Sequence, residues 1–88
     1  MILESAVSRK ANKYAKSVGW LCIKLMSPNF AGLPDYLYVR DGEYVFVEFK
    51  RPGGKPRKLQ RAVHKLLRKH GAVVLAIDTV EDFKEIMK

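Results

Sequence analysis

Cysteine is almost absent. Cys22 is the only one in 88 residues, so no disulfide can close within the chain and no cysteine-based zinc site can be completed. Such a chain suits a reducing compartment. Long apolar runs are missing as well, since nothing approaches the roughly 20 residues of a membrane helix. The first residues carry Glu4, Ser5, Ser8, Arg9 and Lys10 in place of a continuous apolar segment, and no secretory signal is read there. These absences lead to the expectation of a soluble, intracellular protein with no membrane partner. Acidic residues are scarce too, 9 against 17 basic, for a net charge of +8. They are excluded from residues 5 to 34 and again from 50 to 70. The second stretch holds nine basic side chains: Lys50, Arg51, Lys55, Arg57, Lys58, Arg61, Lys65, Arg68 and Lys69. Asp78, Glu81, Asp82 and Glu85 gather near the C-terminus. Segregation of this kind fits a face that binds nucleic acid, and the alternative is a basic surface that is merely solvated.

Hydrophobic residues make up 48% of the chain, enough for a folded domain and too many for a disordered tail. The length allows one small domain, 1–88, with a limited core. Leu3, Val7, Ala11, Tyr14 and Val18 recur at helical spacing, predicting a helix over 2–18 that ends at Gly19. Residues 20–26 alternate as a strand, with Leu21, Ile23 and Leu25 set against Cys22 and Lys24. Residues 27–34 are a loop by their Pro, Asn and Gly content. Two strands follow, 35–40 and 43–50, separated by Asp41-Gly42, a strong two-residue hairpin signal. After a basic loop at 51–57, a helix over 58–70 is expected to bury Leu59, Val63, Leu66 and Leu67. The apolar run from Ala72 to Ile77 reads as a central strand. Thr79 caps a last helix whose Val80, Phe83 and Met87 face inward. The order is αβββαβα, an α/β fold.

The hairpin carries the chemistry. Glu48 and Lys50 are two apart on one strand and share a face. A two-residue turn at Asp41-Gly42 pairs Arg40 with Glu43, and continuing that register sets Asp35 opposite Glu48. Directly opposed carboxylates repel, and a hard divalent cation would compensate them. The rest of that face, Leu37, Val39, Tyr44 and Phe46, is apolar. From the residues alone a second account stays open, in which Asp35 caps the loop, Glu48 pairs with Lys50 and nothing binds.

Gly32-Leu33-Pro34-Asp35, followed by Glu48-Phe49-Lys50, resembles the Pro-Asp…Glu-x-Lys signature of the PD-(D/E)XK nucleases. With Glu4 on the first helix and Gln60 on the second, the chain is similar to the VRR-NUC group, and the match runs from Glu4 to the final helix. The resemblance implies a mixed four-stranded sheet flanked by helices. It implies phosphodiester hydrolysis with Mg²⁺ or Mn²⁺ held by Asp35, Glu48 and the Phe49 carbonyl. Lys50 would orient a water or stabilise charge on the phosphoryl group. Glu4 would hold a water beside the metal or a second metal, its alternative being favourable charge at a helix N-terminus. Gln60 would support Lys50 or touch the substrate backbone, its alternative being an exposed helix glutamine. The segment Gly54-Lys55-Pro56-Arg57-Lys58-Leu59-Gln60 is more basic than the family pattern. Stand-alone chains of this length look like phage and bacterial members that resemble dimeric Holliday-junction resolvases. The expectation is thus a homodimer acting on branched or junction DNA, in the cytoplasm of a bacterial cell or of a phage host.

Lys55, Arg57, Lys58, Arg61, Lys65 and Arg68 are the phosphate-contact candidates. His64 and His70, six apart, lack one-face metal spacing and are expected at the surface or its boundary. Trp20 and Phe30 are candidates for stacking on bases, though Trp20 opens a strand and suits the core. Two other functions compete with a structure-selective endonuclease. A non-catalytic nucleic-acid-binding module would keep the basic surface but has no use for an acidic pair beside phosphates. A sequence-specific restriction enzyme would need a recognition domain that the chain is too short to carry.

Overall fold

The structure is a computed structural model that describes residues 4–88. Leu3, part of the expected first apolar stripe, lies outside them. Val7, Ala11 and Ala15 recur every four residues and form the buried face of α1 (Glu4–Ser17). Tyr14 and Val18 are half-buried at its margin.

The hairpin sets the sheet. Asp41 (φ 49°) and Gly42 (φ 82°) are both left-handed, as a type I′ turn requires. β2 (Tyr36–Arg40) and β3 (Glu43–Phe49) therefore pair from Arg40↔Glu43 to Tyr36↔Val47 in the expected register. β1 (Leu21–Lys24) adds antiparallel to β2. β4 (Val73–Ile77) lies parallel to β3 and is reached through α2 (Lys58–Lys69). α3 (Val80–Ile86) closes the chain, with Thr79 Oγ1 accepting the Asp82 N–H at 3.2 Å. The result is a mixed four-stranded sheet of order β1-β2-β3-β4 with helices on both faces. β4 is thus an edge strand and not the central one expected from its apolar run. Burial on both faces, and not a neighbour on each side, accounts for much of that run: Val74 and Ile77 are buried while Val73 is exposed.

One face of the sheet makes the core. Tyr38, Val45, Val47, Phe49 and Ile77 pack with Val7, Ala11, Ala15 and Phe83 of α1 and α3. The Tyr38 and Phe49 rings lie 5.3 and 5.7 Å from that of Phe83. Trp20 belongs to this core. Its Nε1–H donates to the Met87 carbonyl at 2.9 Å, and the Arg40 guanidinium sits 4.1 Å above its ring, so it is no platform for bases. Phe30 remains exposed in its loop. Along β1 the expected alternation is reversed. Trp20 and Cys22 face the core while Leu21 and Ile23 are exposed, because the register Leu21↔Val39 puts them on the opposite face.

That opposite face carries Leu37, Val39, Tyr44, Phe46 and Glu48, and α2 covers it only at the β4 end. The stripe buried by α2 is Val63 with Gln60 and His64, not the expected Leu59, Leu66 and Leu67; Leu59 and Leu66 are exposed and Leu67 half-buried. The helix is turned so that polar side chains meet the buried end of β3. Among the described residues no helix is long and apolar enough to cross a membrane.

Candidate active site

The loop before β2 places Asp35. Gly32 has φ +88°, and a Cβ there would stand 2.9 Å from Val63 Cγ2 and 3.1 Å from Leu59 Cγ. Only glycine permits both that backbone and that approach to α2. Pro34 is buried, and the Asp35 carbonyl accepts the Leu25 N–H at 2.9 Å. Asp35 lies one step beyond the last hairpin pair, Tyr36↔Val47. There its Oδ2 accepts the Phe49 N–H at 2.8 Å. The side chain thus anchors the end of β3, while the continued register brings Asp35 beside Glu48.

The start of α1 supplies a third acid. Ligand oxygens of Glu4, Asp35 and Glu48 all lie within 4.8 Å of one another, with Glu4 exposed, Asp35 half-buried and Glu48 buried. Glu48 Oε2 accepts from Gln60 Nε2 at 3.0 Å and lies 3.4 Å from Lys50 Nζ. Among the described residues Glu48 Oε1 has no hydrogen-bond partner. Burial first, then the Asp35 charge, push the Glu48 carboxyl up to about 7, against the opposing pull of Lys50. Three carboxylates held this close repel one another unless a cation joins them. Their all-oxygen donor set, with an unpartnered oxygen on Glu48, fits a hard divalent ion such as Mg²⁺.

These residues line an open cleft of about 600 Å³ together with Arg51, Gly54, Lys55, Arg57 and Gln60. Acids floor the cleft and basic side chains form part of its wall. Lys58, Arg61, Lys65 and Arg68 are exposed along α2 outside it. Two of them are tied to backbone, Arg61 to the Pro56 carbonyl at 2.7 Å and Arg68 to that of Val74 at 2.5 Å.

No family model matches the chain. A protein of Acyrthosiphon pisum secondary endosymbiont phage 1 named "Putative nuclease p44" is 31% identical over 88 residues, covering 99% of this chain and 94% of its own. A solved structure described as a VRR_NUC domain superposes with a TM-score of 0.87 at 29% identity, covering 96% of this chain and 92% of its own. The chain belongs to the VRR-NUC nuclease family.

Within this VRR-NUC fold, two features escaped the sequence. Gln60 is held at both ends of its amide. Its Oε1 accepts the Arg57 N–H at 2.9 Å and its Nε2 donates to Glu48, so one side chain ties the first turn of α2 to the acidic centre. His64, expected near the surface, is 2% exposed, and its Nε2 lies 4.0 Å from Glu48 Oε1. The available signal was the four-residue spacing of Gln60 and His64, which puts both on one side of a helix. Glu4, Asp35, Glu48 and Lys50 come together in one cleft. The Phe49 side chain is fully buried in the core and its N–H is held by Asp35.

Proposed function

We propose that this nuclease is a divalent-metal-dependent endonuclease of DNA. The convergence of Glu4, Asp35 and Glu48 beside Lys50, in a cleft partly walled by Lys55 and Arg57, is the observation that carries the reading. Asp35, Glu48 and the Phe49 carbonyl would hold Mg²⁺ or Mn²⁺, and Glu4 would hold a water beside it or a second metal. When bound, the ion supplies Lewis acidity at the phosphoryl group and lowers the pKa of nearby water. Lys50, tethered by Glu48, holds the attacking water and offsets charge as it develops on the phosphate. Gln60 fixes the Glu48 carboxylate. Lys55 and Arg57 take the phosphates flanking the cut. Lys58, Arg61, Lys65 and Arg68 extend the contact along α2.

Branched DNA is the substrate proposed, cut by a homodimer in the cytoplasm of a bacterium or phage host. The sheet face beyond α2 supports the dimer. Leu21, Ile23 and Tyr44 are exposed there beside half-buried Leu37, Val39 and Phe46, an apolar surface that a second copy would cover. A two-fold axis would relate two active centres, matching the two equivalent strands of a four-way junction. The test is nicking of duplex, flap, splayed and four-way junction DNA with Mg²⁺ or Mn²⁺, with and without EDTA, alongside light scattering. Metal-dependent paired incision of the junction by a dimer is expected. Binding without cleavage under every metal would overturn the catalytic reading, and single-strand nicking by a monomer would overturn the junction reading.

A further inference from the structure

Two buried polar atoms among the described residues lack any hydrogen-bond partner, and they face each other. They are Glu48 Oε1 and His64 Nε2, 4.0 Å apart. Both side chains are almost wholly enclosed, at 1% and 3% exposure. A buried donor or acceptor left unpaired is costly, and two such atoms in opposition are relieved together by a side-chain shift of about 1 Å, to the ordinary range of a hydrogen bond. The other Glu48 oxygen already has its donor from the same helix, Gln60 Nε2 at 3.0 Å. Gln60 and His64 are four residues apart and point the same way. α2 thus offers one N–H group toward each oxygen of a single carboxylate.

We propose that His64 is a positioning residue for Glu48: its Nε2–H donates to Oε1 as Gln60 donates to Oε2, and the pair locks the carboxylate plane toward Asp35 and Glu4. Oε2 already takes Gln60 and Lys50, and Oε1 keeps a further lone pair for a cation. Either the Nε2–H tautomer or the imidazolium makes this bond, so the role does not depend on the charge of the ring. His64 touches neither substrate nor metal. It acts by setting the orientation of a ligand, as the hydrogen-bond partners of metal-binding carboxylates do. The inference rests on the metal site proposed above and adds the residue that completes the hydrogen bonding of its buried acid.

Mn²⁺ titration of the whole chain, followed by calorimetry without DNA, tests it. His64→Leu removes the donor and keeps apolar bulk. His64→Gln carries an N–H at nearly the reach of Nε2, whereas His64→Asn carries one too short to reach. The Leu and Asn variants are expected to bind Mn²⁺ about 10–100-fold more weakly, and the Gln variant to stay within about 3-fold of the parent. A long-range ¹⁵N spectrum of the Mg²⁺-loaded protein at pH 8 should show the His64 proton on Nε2. If the Leu variant does not fold, the contrast between Gln and Asn decides. Equal affinity in all variants, equal loss in Gln and Asn, or a proton on Nδ1 would overturn the role of His64. Glu48→Ala serves as the control, because unchanged Mn²⁺ affinity in that variant would overturn the metal site itself and with it this inference.

Discussion

The Gln60 amide donates to buried Glu48 at 3.0 Å while its own oxygen accepts the Arg57 N–H at 2.9 Å. Its orientation is fixed from both ends, since reversing the amide would set oxygen against carboxylate and N–H₂ against N–H. The last residue of the basic loop and the acid at the floor of the cleft are therefore linked through one side chain. Gln60→Ala should destabilise the fold by about 1–3 kcal/mol, the range for leaving buried groups unpaired, and reduce cleavage. A melting curve and a nicking assay on the same preparation check both, and an unchanged melting temperature would contradict the linkage.

Asp35→Ala and Glu48→Ala should each reduce cleavage to background and leave DNA affinity equal or higher. Removing a negative charge from a cleft that faces phosphates does not weaken attraction. Gel shifts beside nicking rates give the comparison, and full activity in either variant would sink the metal assignment.

The buried acid makes the metal-free protein sensitive to pH. Glu48 is pushed up to about 7 in the fold from 4.5, so between these values the folded state binds more protons than the unfolded one. Stability from this group therefore falls as pH rises through that window, and the full cost is present above about 7. Glu48→Gln removes it. The variant should gain on the parent as pH rises from about 4.5 to about 7. The lowered His64 acts in the opposite direction, and losing the Glu48 charge 4.0 Å away lowers it further in the variant, which adds to the same trend. Denaturant melts of both in EDTA from pH 4.5 to 8 test the sign.

Neutralising Lys55, Arg57 and Lys58 together should flatten the salt dependence of DNA binding. Each phosphate contact contributes about 0.9 to the log–log slope on duplex, so the loss is at most roughly 3 units. Because Lys55 and Arg57 line the cleft and Lys58 does not, the first two should account for most of it. A slope equal to that of the parent would mean that these side chains are only solvated.

Gly32→Ala should destabilise the protein by about 1–3 kcal/mol, because the position needs φ +88° and its Cβ would meet Val63 Cγ2 at 2.9 Å. The displaced loop carries Asp35, so Mn²⁺ affinity should fall along with thermal stability. Preserved affinity in a destabilised variant would show that Asp35 is placed without that packing.

The sequence by itself determined what local geometry governs. Asp41-Gly42 dictated a type I′ turn, the turn dictated the pairing of β2 with β3, and the two-residue strand period put Glu48 and Lys50 on one face. The element order and the Thr79 cap were legible for the same reason. Tertiary structure alone decided what depends on rotation and neighbours. Helical periodicity offered Leu59, Leu66 and Leu67 as the buried face of α2, yet the helix turns Gln60 and His64 inward. Its rotation is set by the sheet and by the Gly32 loop, which the α2 segment cannot encode alone. The arrival of Glu4 beside Asp35 and Glu48 likewise depends on how α1 packs across the other face of the sheet. Strand β4 read as central because its apolar run records burial, and burial beneath helices does not distinguish an edge strand from an interior one.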